Sequence, residues 1–255
     1  MIENLFRLDG KIALVTGGSR GIGKMITQGL IESGAKVYIS SRSVEVCEEV
    51  AQEMNALGHG ECVALPADLS EVENIEALVG ELSKRESQLD ILINNAGASW
   101  GAPLGKFPEK GWDKVMNINV KSPFFLTQSL LPLLKKSGTE LDPSRVIMIS
   151  SVAAVSPNSQ LAYSYSSSKA AIAQLGKTLA KDLVKENILV NAIAPGLFES
   201  KMTSHHDLDT VAKLIPVGRI GFPSDIAGLT IFLCSKAGRY MVGNYIPLDG
   251  GYLLL

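Results

Sequence analysis

The chain has 255 residues, of which 46% are hydrophobic and 20% are charged, and its formal net charge is −2. This composition is typical of a globular protein with a large core, and the charge gives no overall basic field for nucleic acid or an anionic membrane. The cysteines Cys47, Cys62 and Cys234 lack CxxC spacing, which favours neither a disulfide framework nor a zinc site. Because no signal peptide and no membrane-length apolar run is visible, we expect a cytoplasmic protein without a membrane span.

Short apolar segments alternate with segments of helical periodicity along the chain. The predicted strands are Ile12–Val15, Val37–Ser40, Cys62–Leu65, Ile91–Ile93, Val146–Ile149, Leu189–Ile193 and Tyr245–Leu248. The predicted helices are 24–33, 45–57, 71–84, 110–136, 164–186 and 223–235. Such alternation implies parallel strands joined by right-handed crossovers and covered by helices on both faces. The sequence therefore predicts a single α/β domain over 1–255, with a Rossmann-like, doubly wound parallel sheet.

A glycine-rich turn over residues 16–23 follows the first predicted strand and opens a helix. In this context, glycines allow the backbone to approach a pyrophosphate at the helix N-terminus. The spacing Gly17-x3-Gly21-x-Gly23 differs from the commoner G-x-G-x-x-G pattern. The turn therefore predicts a dinucleotide site, and a purely structural turn is the alternative.

The same turn also matches part of a P-loop. Residues 18–24 satisfy the first seven positions of that motif and end at Lys24. The eighth position, where Ser or Thr would bind Mg²⁺, is Met25. A nucleotide triphosphatase is therefore the weaker interpretation.

The end of the second strand bears on the choice of cofactor. An NAD site would place an acidic residue there to accept the ribose 2′-hydroxyl, but the sequence continues with Ser41 and Arg42. Arg42 could pair with a 2′-phosphate, and Arg20 in the glycine turn could add a second cation. Both arginines could instead be solvated surface charges. The missing acidic residue favours NADP(H), and no metal ion is predicted as a cofactor.

Tyr165 and Lys169 lie four residues apart in the predicted helix 164–186 and so share a helix face. A nearby ammonium stabilises phenolate and would lower the tyrosine pKa from its usual value of about 10. Tyr165 could then act as general acid or general base. Tyr163 serves as a control, because the residue four positions later is Ser167. Taken alone, such a pair is common on surface helices.

Other polar residues accompany this pair at the ends of predicted strands. Ser150 and Ser151 follow the strand that ends at Ile149, and residues 94–97, Asn-Asn-Ala-Gly, end another strand at the same edge. The carboxyl edge of a parallel sheet is where α/β proteins form their sites. Asn119 lies in an otherwise apolar helical stretch, where a buried amide requires a partner.

Together these features resemble the short-chain dehydrogenase/reductase family over residues 11–251. The motifs that carry the resemblance are Thr16-Gly17-x3-Gly21-x-Gly23, Asp68-Leu69, Asn94-Asn95-Ala96-Gly97, Asn119, Ser151, Tyr165-x3-Lys169 and Pro195-Gly196. Within the family, residues 98–102 and 155–165 look most like 3-oxoacyl-ACP reductases of the rhamnolipid-pathway type. Sugar, steroid and other alcohol dehydrogenases of the family share the same catalytic motifs.

The resemblance implies roles for individual residues. Tyr165 would be the acid/base, Ser151 would orient the substrate, Lys169 would lower the tyrosine pKa and hold the nicotinamide ribose, and Asn119 would position a relay water. The implied cofactor-binding residues are Gly17, Ser19, Arg20, Gly21, Ile22, Gly23, Arg42, Asp68, Leu69, Asn95, Ala96, Gly97, Tyr165, Lys169, Pro195, Gly196 and Phe198. The expected activity is hydride transfer between NADP(H) and a carbonyl or secondary alcohol, on a small-molecule or acyl-thioester substrate. A non-catalytic NADP-binding sensor is the alternative from another class.

Three further expectations concern loops and assembly. The irregular segment 197–218 is placed where a lid would lie, and its pair His205-His206 has no spacing that supports a metal site. Helices 110–136 and 164–186 are apolar on more than one face, which favours a homodimer or homotetramer. The apolar tail 252–255 could pack across a subunit boundary or within its own subunit.

Overall fold

The computed structural model describes residues 4–157, 161–200, 203 and 207–255. Seven strands form a parallel sheet with the order β3-β2-β1-β4-β5-β6-β7. They are β1 (Ile12–Thr16), β2 (Lys36–Ser40), β3 (Glu61–Ala64), β4 (Ile91–Asn94), β5 (Ser144–Ile149), β6 (Ile188–Pro195) and β7 (Tyr245–Leu248). All seven predicted strands and the doubly wound architecture are confirmed.

Eight α-helices are present among the described residues. They are α1 (Gly21–Glu32), α2 (Val44–Asn55), α3 (Val72–Arg85), α4 (Glu109–Met116), α5 (Ser122–Ser137), α6 (Tyr163–Leu183), α7 (Leu208–Ala212) and α8 (Pro223–Cys234). None of the helices in the described ranges is long and apolar enough to span a bilayer.

The core forms two clusters, one on each face of the sheet. Helices α1, α2 and α8 contribute to one cluster, and α3, α5 and α6 contribute to the other. In β1, Ala13 and Val15 belong to the first cluster and Leu14 to the second. Side chains of a strand alternate between the two faces. The strand is therefore apolar throughout because both of its faces are buried, which explains the continuous apolar runs in the sequence.

The predicted helix 110–136 contains a wider turn. Between α4 and α5 the chain makes a π-helical turn, Asn117–Lys121, which contains Asn119. Pro123 has no N–H and cannot donate the regular α-helical hydrogen bond to the carbonyl of Asn119, which favours a wider turn at this point. The predicted helix 110–136 therefore corresponds to one helical stretch from Glu109 to Ser137, and its apolar periodicity did not reveal the π turn.

The strand order determines where a ligand can enter. From β1 the chain proceeds outward to β2 and β3, and it then returns to place β4 on the opposite side of β1. The connections after β1 and β4 leave in opposite directions, which opens a crevice at the carboxyl edge of the sheet. The motifs that follow these strands therefore meet in space.

The described part of segment 197–218 contains α7, and a β-bridge joins Phe198 to Gly221. The pair His205-His206 lies outside the described residues. Within the described residues, no group of His, Cys, Asp and Glu side chains has an arrangement that could hold a metal ion.

Candidate active site

A cavity of about 790 Å³ lies at the carboxyl edge of the sheet, over the crevice between β1 and β4. Its volume falls in the usual range for small-molecule and cofactor sites. The predicted residues that line it are Gly17, Ser19, Arg20, Gly21, Ile22, Gly23, Arg42, Asp68, Leu69, Asn95, Ala96, Gly97, Ser151, Tyr165, Lys169, Pro195 and Gly196. Two predicted residues, Asn119 and Phe198, are not among the lining residues.

The glycine turn is held in its conformation by the segment after β4. The Asn95 amide donates to the carbonyls of Thr16, at 2.8 Å, and Gly17, at 3.3 Å. Gly17 has a φ of 66°, and a Cβ on Gly23 would lie 2.1 Å from the Gly17 oxygen. Side chains are therefore excluded at both positions, and the exposed backbone at the start of α1 is free to approach an anion.

The structure contradicts the P-loop interpretation of this turn. Lys24, which would have to reach a phosphate, instead forms an ion pair with Glu53 at 2.6 Å and is not among the cavity-lining residues. Met25 packs against the core. The turn therefore lacks both the cation and the Mg²⁺ ligand that a triphosphatase requires.

Two arginines project from segments that are joined by a hydroxyl bridge. The Ser19 hydroxyl donates to the Ser41 Oγ at 3.0 Å, and the Ser41 Oγ lies 2.9 Å from the Cys47 Sγ. Arg20 and Arg42 directly follow the two serines, are exposed, and line the cavity. Within the described residues, neither guanidinium has an ion-pair or hydrogen-bond partner. Both are therefore available to an anionic group of a ligand.

Ser151, Tyr165 and Lys169 meet at the other end of the cavity. Ser151 follows β5, and Tyr165 and Lys169 occupy successive turns of α6. The Lys169 Nζ donates to the Ile149 carbonyl at 2.7 Å and lies 5.6 Å from the centroid of the Tyr165 ring. The predicted constellation of a hydroxyl, a phenol and an ammonium is therefore brought together beside the cavity.

Burial has the largest influence on the pKa values of this group. Burial raises the pKa of Tyr165, while a hydrogen bond with Ser151 acts in the opposite direction. Burial also lowers the pKa of Lys169 to about 8. Desolvation of the phenol is thus the main influence on the pKa of Tyr165 in this structure, and the contact that opposes it comes from Ser151. The expected lowering of the tyrosine pKa by Lys169 stays a prediction.

The structure distinguishes the two adjacent serines. The Ser150 hydroxyl is buried and donates to the Lys169 carbonyl at 2.7 Å, so that it fixes α6 against β5. Ser151 is held through its backbone, because the Tyr245 hydroxyl donates to its carbonyl at 2.8 Å. Ser151 is therefore the serine that faces the tyrosine, as the sequence predicts.

Asn119 lies behind the cavity wall. Its Oδ1 accepts from the Ala98 N–H at 2.8 Å, and its Nδ2 donates to the Ala98 carbonyl and to the Ser168 hydroxyl. Ser168 in turn donates to the carbonyl of Tyr165. Since both amide protons are used within the protein, the side chain fixes the loop after β4 to the helix that carries Tyr165. Its proposed relay water stays a prediction.

Phe198 also departs from its expected position. Its side chain is 3% exposed and packs over Gly221, where a Cβ would lie 2.3 Å from the ring. The ring therefore belongs to the core, because the β-bridge between the two residues draws it inward. The expected contact of Phe198 with the nicotinamide stays a prediction.

One cation at the cavity was not predicted. Lys114 on α4 lines the cavity, and its Nζ lies 5.7 Å from the Trp100 ring centroid. The indole packs against Gly111, where a Cβ would lie 2.7 Å from it. Lys114 belongs to no motif. Its four-residue spacing to Ile118, which also lines the cavity, is the only sequence signal that could have indicated a place for Lys114 at the cavity.

The cavity fits a dinucleotide cofactor with an additional phosphate. The glycine turn offers backbone N–H groups where Cβ atoms cannot be accommodated, and two unpaired arginines flank the end of β2. No carboxylate follows β2 in the position that would accept a ribose 2′-hydroxyl, since Ser41 and Arg42 occupy it. Asp68 lines the cavity from the segment after β3, where its Oδ1 accepts from the Ser70 N–H.

Comparisons with known proteins agree with this geometry. The family model described as short chain dehydrogenase matches residues 11–210. The chain is 51% identical over 254 residues to the rhamnolipid-biosynthesis 3-oxoacyl-acyl-carrier-protein reductase of Pseudomonas aeruginosa, with 98% of each chain covered. It is 36% identical over 260 residues to a 2-dehydro-3-deoxy-D-gluconate 5-dehydrogenase of Dickeya dadantii, with 99% of each covered.

A solved structure extends the comparison to three dimensions. The Pseudomonas aeruginosa RhlG/NADP active-site complex superposes with a TM-score of 0.94 at 50% identity and covers 98% of each chain. The family model spans most of the chain, and the fold, the glycine turn and the Ser-Tyr-Lys group have the arrangement that the resemblance predicted. The chain therefore belongs to the short-chain dehydrogenase family.

Proposed function

We propose that this protein is an oxidoreductase that reduces the keto group of a 3-oxoacyl thioester with NADPH. The observation that carries the proposal is the convergence of Ser151, Tyr165 and Lys169 on the cavity that also holds the glycine turn. The 51% identity to a 3-oxoacyl-acyl-carrier-protein reductase supports the thioester as the substrate class. An acyl carrier protein or coenzyme A could supply the thiol half of the substrate.

The preference for NADPH follows from charge. Arg20 and Arg42 would bind the 2′-phosphate, and the backbone at the start of α1 would bind the pyrophosphate. Asp68 and Leu69 would flank the adenine, and Pro195 and Gly196 would flank the nicotinamide. When bound, NADPH supplies the hydride that is added to the carbonyl carbon.

The residues of the chain supply the proton and the orientation. Tyr165 donates its phenolic proton to the carbonyl oxygen, and Ser151 holds that oxygen through its hydroxyl. The pKa of Lys169 is about 8, so the side chain is mostly protonated at neutral pH and stabilises the phenolate that forms when Tyr165 loses its proton. Lys169 would also bond to the nicotinamide ribose.

A second candidate, an NADP-linked sugar or alcohol dehydrogenase, rests on the 36% identity to a gluconate-type dehydrogenase. Such a dehydrogenase would use the same proton transfer by Tyr165, but other residues would contact the rest of its substrate. A non-catalytic sensor would have no need for the buried Lys169 beside Tyr165.

We also propose cytoplasmic action as a homodimer or homotetramer, with segment 197–218 as a lid. Phe124 and Phe125 on α5, and Leu175 and Leu179 on α6, keep partial exposure in the single chain and would be covered by a partner subunit. Light scattering after size-exclusion chromatography tests the assembly. A monomer at micromolar concentration would contradict it.

The direct test measures initial rates of NADPH and NADH oxidation with 3-oxobutanoyl-CoA, alongside a panel of simple ketones and sugar ketones. We expect turnover of the thioester with NADPH, and a loss in Tyr165→Phe of roughly a thousandfold, because the general acid is removed. Tyr240→Phe, at a fully exposed tyrosine away from the cavity, is the matched control.

The outcomes separate the alternatives. Turnover of sugar ketones alone would replace the thioester reductase with the second candidate. Near-normal activity of a folded Tyr165→Phe protein would disprove the proposed mechanism. Tight NADPH binding without turnover of any substrate would favour the sensor.

A further inference from the structure

Tyr245 connects the last strand of the sheet to the segment that carries Ser151. It begins β7, the edge strand, and pairs there with Ala192 of β6. Its ring packs on the core cluster to which α6 contributes. Its hydroxyl donates to the carbonyl of Ser151, which lies 94 residues earlier in the chain. Because β6 lies between β5 and β7, this bond passes over a whole strand.

Ser151 itself lies beyond the hydrogen-bond ladder of the sheet. The register of β5 and β6 ends at the pair of Ile149 and Ile193, and the Ser150 N–H bonds to the Ile193 carbonyl at 2.8 Å. Ser151 follows with an extended backbone, at a φ of −169° and a ψ of 157°. Its position is therefore decided by contacts other than strand pairing.

Two donors share the Ser151 carbonyl. The Ala154 N–H lies at 3.0 Å and the Tyr245 hydroxyl at 2.8 Å, and a carbonyl oxygen can accept two such bonds. The Ser151 Oγ accepts from the Ala153 N–H at 3.2 Å, which leaves its proton for the Tyr165 phenol or a substrate oxygen. The two alanine bonds are internal to the turn after β5. The Tyr245 bond is the one of these three that fixes this turn relative to the sheet.

The state of Tyr245 suits this role. Burial raises the pKa of its phenol, and the charge of Asp249 acts in the same direction. The hydroxyl therefore keeps its proton and remains a donor at neutral pH. Tyr245 is not among the residues that line the cavity. Any influence on the reaction must therefore pass through the residues that it contacts.

We propose that Tyr245 is a positioning residue, which holds the turn after β5 so that the Ser151 hydroxyl meets the reacting carbonyl oxygen. The inference rests on the proposed function, in which Ser151 holds that oxygen. A displacement of about 1 Å in such a group can lower a rate by roughly a hundredfold. Tyr245→Phe removes the long-range bond but keeps the ring in the core cluster and leaves the alanine bonds of the turn. We therefore expect a smaller displacement and a partial loss of rate.

The test is a double-mutant cycle that consists of the unchanged protein, Tyr245→Phe, Ser151→Ala and the double variant. Initial rates are measured with NADPH and 3-oxobutanoyl-CoA. Tyr245→Phe should lower kcat by roughly tenfold, while the KM of the thioester and the Kd of NADPH, from fluorescence titration, stay within about twofold. In the Ser151→Ala background, the same substitution should change kcat by less than about twofold, because no hydroxyl remains to be positioned.

The matched control is Tyr38→Phe. Tyr38 packs on the same core cluster, and its hydroxyl donates to Glu86 at 2.7 Å, away from the cavity. This variant should keep the kcat of the unchanged protein. An equal loss of kcat in the control would assign the effect to a general loosening of the core and overturn the inference.

Two other results would also overturn it. One is an unchanged kcat in folded Tyr245→Phe, and the other is a loss that persists at full size in the Ser151→Ala background. If the thioester is not reduced while another ketone is, the proposed function fails instead, and the same cycle on that ketone decides the role of Tyr245. If no ketone is reduced, both fail.

Discussion

Each edge of the sheet contains a partly or fully buried lysine. The pKa values of the two lysines are shifted in opposite directions. At the amino edge, Lys11 lies between Asp90 at 2.9 Å and Asp142 at 2.8 Å, and these carboxylates raise its pKa although burial opposes them. At the carboxyl edge, Lys169 bonds to a neutral carbonyl, and burial lowers its pKa to about 8. The charge of the lysine is therefore balanced by carboxylates at the amino edge, whereas at the carboxyl edge it has no counter-charge in the described part of the chain.

The amino edge is arranged for stability. Asp90 accepts from Lys11, from the Ser137 hydroxyl and from the Ile12 N–H. Nearby, the buried Arg145 donates to the carbonyls of Leu233 and Ser235, which caps the end of α8. The contacts of Asp90 tie the start of β4 to β1 and α5, and those of Arg145 tie β5 to α8. This edge lies away from the cavity.

The carboxyl edge retains unpaired charge. Lys169 has no carboxylate beside it in the described structure, and Arg20 and Arg42 are likewise unpaired there. A buried charge without a counter-charge, such as that of Lys169, is costly unless a ligand or a reaction uses it. The comparison indicates that the buried lysine at the amino edge is balanced by carboxylates, whereas the cations beside the cavity are left without carboxylate partners among the described residues.

Asp90→Asn should have the largest effect on stability. It removes the buried carboxylate beside Lys11, and we expect a loss of about 3 kcal/mol in the free energy of unfolding, measured by urea denaturation. The rate per folded molecule should remain unchanged. Glu81→Gln, which removes an exposed ion pair with Lys84, is the control and should cost less than about 1 kcal/mol. A large loss of turnover in folded Asp90→Asn would contradict the separation of the two edges.

The pH dependence of stability should have opposite signs for the two lysines. The folded-state pKa of Lys169 lies below its unfolded value of 10.5, so the unfolded state binds more protons between about pH 8 and 10.5. Relative to Lys169→Met, the unchanged protein should therefore gain about 3 kcal/mol of stability across this window.

Lys11 provides the contrast in the same experiment. Its pKa is raised, so its contribution is fully present below the unfolded value and is lost as the pH rises through the folded value. Relative to Lys11→Met, the unchanged protein should lose stability at high pH. If the difference in the free energy of unfolding from the unchanged protein varied with pH in the same way for both lysine variants, the proposed contrast between the two lysines would be wrong.

Arg42→Asp should shift cofactor preference by a smaller amount. Loss of one charge-assisted pair and the addition of a negative charge should lower kcat/KM for NADPH by roughly thirtyfold, about 2 kcal/mol, while NADH improves or is unchanged. Arg85→Asp, a charge reversal at the end of α3 outside the cavity, is the control. An unchanged ratio in Arg42→Asp would mean that Arg42 does not contact the 2′-phosphate.

Much of the fold and the site could be predicted from the sequence. Continuous apolar strands alternate with helical segments, and this local pattern is sufficient for a parallel sheet with sites at its carboxyl edge. The glycine turn and the pair Tyr165 and Lys169 are also local signals, since their function depends on spacing within one turn or one helix. For this reason most of the predicted residues line the cavity.

Other features depended on contacts between distant segments. The side chain of Asn119 is directed to Ala98 and Ser168 by the π turn, and Phe198 is drawn into the core by its bridge to Gly221. The pKa values of Tyr165 and Lys169 depend on desolvation, which no spacing in the sequence encodes. The sequence by itself determined the order of strands and helices and the chemistry of the site residues. Only the tertiary structure decided which side chains face the cavity and which charges are compensated, because burial and pairing depend on segments far apart in the chain.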